Sequence, residues 1–232
     1  DPLGRTRLVR TSDGSALSTS GETDGIKVET IRRVAAGGNF EILSNPFRST
    51  ADSTMGWTCT QYDQNGRVRY VSTFGGASAP ANCTSTTNRT GLAETRYESE
   101  TTVSIDPASR RKDSTQDALG RLASVTEYTG GTPSTHTTTY FYDALDNLGT
   151  VVQGSQTRSF GYSSLGRLTS VYNPESNNTS YTYYDHGGLW TQTTARSITT
   201  THTYDALQRP LTKTYTDGTP GVTYEYYLAG GN

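Results

Sequence analysis

The sequence predicts an all-β chain: tandem β-hairpins forming a continuous curved or spiralling sheet. Three observations predict it. One short phrase recurs about every twenty residues, alternating runs of Thr, Tyr and Val separate its copies, and no long stretch carries apolar residues at i, i+3, i+4 and i+7. Hydrophobic residues make up only 31% of the 232, yet Tyr occurs 16 times and Gly 24 times. Disordered chains are poor in aromatic and β-branched residues. Here those residues replace the aliphatics, and they suit a pleated, half-wet surface.

The phrase is an aromatic, an acid, two loose positions, a Gly or polar residue, then Arg or Asn and usually Leu. It reads Tyr142-Asp143 through Asn147-Leu148, then Tyr162-Ser163 through Gly166-Arg167-Leu168, then Tyr184-Asp185 through Leu189, then Tyr204-Asp205 through Arg209-Pro210-Leu211. Positions 143, 163, 185 and 205 are 20, 22 and 20 residues apart. Upstream copies are Asp117 with Gly120 and Arg121, and Tyr62-Asp63 with Gly66 and Arg67. Weaker ones are Tyr97-Glu98 and Phe40-Glu41, and the phrase recurs at Asp1-Pro2-Leu3-Gly4-Arg5 and from Tyr227 to Asn232. Both ends fall inside a repeat, so an excerpt from a longer array is expected.

Taken in order, residues 1–60 read as decayed repeats. Asp13-Gly14 and Asp24-Gly25 are tight-turn signals, residues 26–31 alternate as a half-buried strand, and Gly37-Gly38-Asn39 turns before Phe40. Residues 72–96 are rich in Gly, Ser, Pro and Asn without periodicity, and read as a surface loop insertion. Residues 116–232 are the regular repeats, truncated at both ends, with the whole chain as one array. Each unit there has two arms: 122–128 and 136–142 flank a turn at 129–133, and 211–215 and 222–226 flank a turn at 217–221. Within the phrase, Asp accepts backbone N–H bonds and favours a turn. Gly permits φ > 0 where the chain reverses, and Arg pairs with a carboxylate or lies on a ring. The tyrosines are expected to form stacked rows.

This pattern resembles the YD repeat of RHS proteins, a family that includes the shells of bacterial polymorphic toxins, the C component of insecticidal Tc toxins and the teneurins. The resemblance implies a long β-strip that spirals into a hollow shell around another polypeptide. In several such toxins a core region cleaves itself with aspartates. No segment here matches it, so neither that activity nor a toxin activity is carried over.

Cys59 and Cys83 are the only cysteines. They are either two half-buried thiols or a disulfide closing a loop of 25 residues, worth about 3 kcal/mol by chain entropy. Low Met, high Thr and Tyr and the family resemblance favour the disulfide and an oxidising exterior, on a secreted or cell-surface bacterial protein.

Other chemistry finds little support. A net charge of −2 with both signs scattered lacks the clustered basic face of a nucleic-acid binder, and no apolar run is long enough for a membrane span. His136, His186 and His202 lack metal-ligand spacing, so no metal or cofactor is expected. No Gly-x-Ser-x-Gly or phosphate-loop context occurs. Glu94, Glu98, Glu100 and Asp106 are the densest acidic group, read as a solvated face balancing Arg96, Arg110, Arg111 and Lys112 rather than a glycosidase pair. Asn82, Asn88 and Asn177 match the glycosylation sequon, without meaning in a bacterial protein.

Three functions remain open. The first is a non-catalytic shell segment that encloses or displays an effector. The second is an adhesion or carbohydrate-binding module with Trp57 and Trp190 as sugar platforms. The third is a self-assembling extracellular fibre, in which identical subunits or further repeats pair through uncapped strand edges.

Overall fold

The computed structural model describes residues 5, 7–11, 25–35, 38–129 and 135–227. The phrases and turns expected at 1–4, 13–14, 24, 37, 130–133 and 228–232 lie outside the described residues. Among the described residues there are eighteen strands, paired antiparallel, and no helix. The chain divides into two compact units, Asp1–Arg121 with Val125–Thr135, and Leu122–Ser124 with His136–Asn232.

The first unit is a meander in chain order. It contains β1 (Leu8–Thr11), β2 (Ile26–Ala35), β3 (Gly38–Ser44), β4 (Gly56–Tyr62) and β5 (Val68–Gly75). It continues through β6 (Arg89–Glu98), β7 (Thr101–Ile105) and β8 (Arg111–Gln116), each paired with the strand before it. Beyond them lies β9 (Leu122–Tyr128). The hydrophobic core sits here, on one face of β3 to β5. Phe40, Ile42, Trp57, Cys59 and Phe74 are buried from the sheet side, while Phe47, Met55 and Cys83 cover them from two loops. Those loops, 45–55 and 76–88, are anchored by backbone bonds, including Lys27 N to Phe47 O at 2.8 Å and Gly76 N to Met55 O at 2.9 Å. The aperiodic insertion is therefore narrower than expected. Residues 72–75 complete β5 and 89–96 belong to β6, because a strand pairing on both sides needs no apolar alternation to stay extended.

The second unit runs β10 (Thr135–Tyr142), β11 (Leu148–Gln153), β12 (Gln156–Tyr162), β13 (Leu168–Asn173), β14 (Asn177–Tyr183), β15 (Leu189–Thr193), β16 (Thr199–Tyr204), β17 (Pro210–Tyr215) and the two-residue β18 (Val222–Thr223). Each pairs with the next. None of its described residues is buried. The return arm expected over 222–226 is strand only at 222 and 223.

Cross-strand register separates the two faces of this sheet, since residues directly opposite share a face and neighbours along a strand alternate. Thr182, Thr191, Thr201 and Thr214 form one row across four strands. Ser170, Ser180, Thr193 and Thr199 form the next. Their hydroxyls bond one another: Thr182 to Thr191 at 2.6 Å, Thr193 to Thr199 at 2.9 Å, and Thr203 to Thr212, on the same face, at 2.6 Å. The opposite face carries the longer side chains, with Gln192 opposite Thr200, Thr200 opposite Tyr215, and His202 opposite Lys213.

Candidate functional site

What repeats is a five-residue turn followed by a strand start. In the turn at Asp63, Asp63 N donates to Arg67 O at 2.8 Å and Gly66 N to Asp63 O at 3.0 Å. A type I turn closed by a left-handed residue leaves a bulge, and Tyr62 accordingly pairs with Val68, off register by one. The left-handed position is Gly66 at φ 78°, Gly120 at 80° and Gly166 at 71°, but also Asp146 at 69° and Gln208 at 60°.

The aspartate holds this loop from inside. Asp63 Oδ1 accepts the N–H of Asn65 and of Arg67, both at 2.9 Å, while Oδ2 accepts Arg67 Nε at 2.8 Å. Asp117 with Arg121 and Asp205 with Arg209 repeat the arrangement. At Asp143 the amide of Asn147 replaces the guanidinium, at 2.9 Å. Backbone N–H bonds from Arg67 and Arg209 are the largest influence holding the Asp63 and Asp205 carboxyls below the usual range. For Asp117 it is the Arg121 side chain. These carboxylates are spent on the turn and are poor proton donors.

Five tyrosines tie a repeat to the one before it. Tyr142 OH donates to Leu122 O, Tyr162 OH to Leu148 O, Tyr183 OH to Leu168 O, Tyr204 OH to Leu189 O and Tyr226 OH to Pro210 O, all within 2.8–3.1 Å. The acceptor is always the first residue after the preceding turn. Its carbonyl lies beyond the next ladder: pairing of β11 with β12 begins at Thr150, of β13 with β14 at Ser170, and of β15 with β16 at Thr191. The hydroxyl supplies the bond the ladder omits. Arg209 and Arg67 lie over the rings of Tyr226 and Tyr97 at 4.3 and 4.1 Å.

This geometry corrects several expectations. The third regular copy is Tyr183-Tyr184, not Tyr184-Asp185: Tyr184 N bonds Gly188 O, Gly187 N bonds Tyr184 O, and Tyr183 is the latch. Tyr184 thus fills the aspartate position, leaving Asp185 inside the turn. Likewise Tyr226 latches rather than Tyr227. Phe40 and Glu41 lie mid-strand, Phe40 in the core and Glu41 paired with Arg32, and β6 runs straight through Tyr97. An unpredicted copy of the turn occurs at Asp106, which accepts Ala108 N, Arg110 N and Arg110 Nε at 2.7–2.9 Å. Asp106 thus leaves the acidic group, and Glu94 and Glu98 pair with Arg96. The signal available in sequence was the spacing of Asp106 and Arg110, the same as Asp63 to Arg67.

Among the described residues the tyrosines do not form stacked rows. The ring pairs of the described residues cluster at one place, where Tyr184 meets His186 at 5.1 Å, Trp190 at 5.7 Å and Tyr204 at 6.0 Å. Trp190 is 47% exposed, whereas Trp57 is 4% exposed, so Trp57 is no sugar platform: it sits under the two loops. Arg167 lacks an aspartate, because its turn has Ser163, and it bonds Tyr184 O at 3.1 Å. Cys59 and Cys83 form a disulfide with Cα atoms 5.1 Å apart, pinning the loop 76–88 onto β4. Asn88 and Asn177 occupy left-handed positions, φ 57° and 59°, a local reason for asparagine. Among the described residues no three His, Cys, Asp or Glu come together as a metal site, and no helix is long and apolar enough to cross a membrane.

The family model RHS Repeat matches residues 162–197. None of the curated proteins compared matches the chain. Among solved structures, the crystal structure of TcdB2-TccC3-Cdc42 superposes with a TM-score of 0.59 at 13% identity, over 85% of this chain and 12% of that one. TcdB2-TccC3 gives 0.59 at 12% identity, over 84% and 12%. The chain therefore spans about an eighth of those structures, and the likeness is one of fold. The family match sits on the turns at Ser163 and Tyr184, the same turn and latch recur outside it, and most of the chain shares the fold of the TcdB2-TccC3 structures: residues 162–197 match the RHS Repeat, and the rest resembles it in turn, latch and fold.

Proposed function

We propose that these residues are a non-catalytic structural segment of an RHS-type β-shell, secreted or on the surface of a bacterium, that encloses or displays an effector polypeptide. The observation that carries this reading is the latch. Five tyrosine hydroxyls, those of Tyr142, Tyr162, Tyr183, Tyr204 and Tyr226, are consumed in binding the preceding repeat, and the carboxylates of Asp63, Asp106, Asp117, Asp143 and Asp205 are consumed in their own loops. The recurrent polar groups therefore build wall and leave little for chemistry. A disulfide between Cys59 and Cys83 suits an oxidising compartment, and further repeats pairing through strand edges are the natural partners. The test is limited proteolysis of the natural full-length polypeptide. Regions beyond this segment should resist protease until the repeats are denatured. Digestion as fast as that of the same regions expressed alone would sink the enclosure reading.

A second reading, glycan binding, is favoured by one feature, the half-exposed Trp190 beside Tyr184 and His186. Trp190→Ala should abolish glycan retention with the β circular-dichroism signal intact. Unchanged retention, or no retention by the parent, removes this reading.

A further inference from the structure

We infer that the hydroxyl face of the second unit, the one bearing Thr182, Thr191, Thr201 and Thr214, is the face turned toward the enclosed polypeptide, and that it works by not gripping it. The inference rests on the enclosure reading and adds which face does the enclosing.

Two physical reasons point the same way. A wall that must hold a chain and later release it needs a lining without a contiguous apolar patch and without many unsatisfied donors competing for backbone. The threonine rows meet both conditions, since Thr182, Thr193 and Thr203 already spend hydroxyls on Thr191, Thr199 and Thr212. Their β-branched side chains are stiff, so the pairing costs little further freedom. The second reason is steric. Side chains converge on the concave side of any closing wall, so short ones belong there, and the cross-strand rows of this face are built of Ser and Thr. The opposite face holds Gln192, His202, Lys213 and Tyr215, whose length needs outward room. Two large residues break the rule on the hydroxyl face: Phe141 opposite Thr150, and Tyr172 opposite Ser159. They stand in one cross-strand row on β10 and β13, with Thr150 and Ser159 between them.

The test uses neighbours in one strand that face opposite ways. Thr200→Cys and Thr201→Cys, with Gln192→Cys and Thr191→Cys as a second pair should either of the first fail to fold, are made singly in the natural full-length polypeptide. Each is exposed to a bulky polyethylene-glycol maleimide, and labelling of the peptide containing the new cysteine is read by mass spectrometry. The native cysteines of this segment are bonded to each other and do not react. Thr200→Cys and Gln192→Cys should label, while Thr201→Cys and Thr191→Cys should label only after denaturation. The reverse pattern overturns the face assignment while leaving enclosure standing. Equal labelling of both faces overturns enclosure itself.

Discussion

At the scale of single residues, the tyrosine latch and the aspartate turn make separable predictions. Tyr204→Phe keeps the ring and removes only the bond to Leu189 O, leaving a carbonyl that the β15–β16 ladder does not reach. The expected loss is about 1 kcal/mol, the net worth of one such hydrogen bond. Tyr162→Phe should behave alike, and the two should add, since they share no partner. Urea unfolding of the second unit measures this, and unchanged midpoints would make the hydroxyls bystanders. The aspartates give a pH signature. Asp63, Asp106, Asp117 and Asp205 are held below their ordinary 3.8 by bonds to the ionised form. The unfolded chain then binds protons first as pH falls, so their stabilisation is complete above 3.8 and is lost as pH drops through the lowered folded values. The melting temperature should decline on that acid side, and replacing all four by Asn should flatten the decline. An identical acid limb in the variant would assign it to other groups.

At the scale of elements, the loop 76–88, with the loop 45–55, is what turns the face of the three strands β3 to β5 into a core. Its Cys83 is buried against Cys59, and Ser72 donates to the Cys83 carbonyl beneath it. Cys59→Ser with Cys83→Ser should destabilise the first unit by about 3 kcal/mol. Trp57 reports it, because the indole moves from burial to water when the loop lifts and its fluorescence shifts red. In a Trp190→Phe background the signal is Trp57 alone. Unchanged emission and an unchanged melting curve would make the bond incidental.

At the scale of the whole molecule, the two units are stabilised differently. Phe40, Ile42, Trp57 and Phe74 give the first an apolar core under its loops, whereas the second has no buried residue among those described and relies on ladders, threonine pairs and latches. Opening free energy should follow this division. Hydrogen exchange read by mass spectrometry should find the slowest amides in β3, β4 and β5, with β11 to β16 exchanging faster. Uniform protection along the chain would contradict the contrast.

How much could be read beforehand follows from where each feature's cause lies. The all-β class, the turns at Asp63, Asp117, Asp143, Ser163 and Asp205, and the arginine partners of three of them are local: five adjacent residues close each loop, so the pattern is legible in one dimension. The copy at Asp106 is equally local, but Ser109 stands at its Gly position and Arg111 at its Leu position, so only the spacing of Asp106 and Arg110 marks it. The third repeat was misplaced by one because both Tyr183 and Tyr184 fit the phrase, and only the bond from Tyr183 OH to Leu168 O distinguishes latch from turn. The sequence by itself thus determined the repeat, its turn chemistry and the strand-rich class, since these arise within a few residues. Tertiary structure decided the rest: which carbonyls the tyrosines cap, that Trp57 is buried while Trp190 is exposed, and that an aperiodic loop covers the core. Each of those depends on strands that meet only when the sheet is assembled.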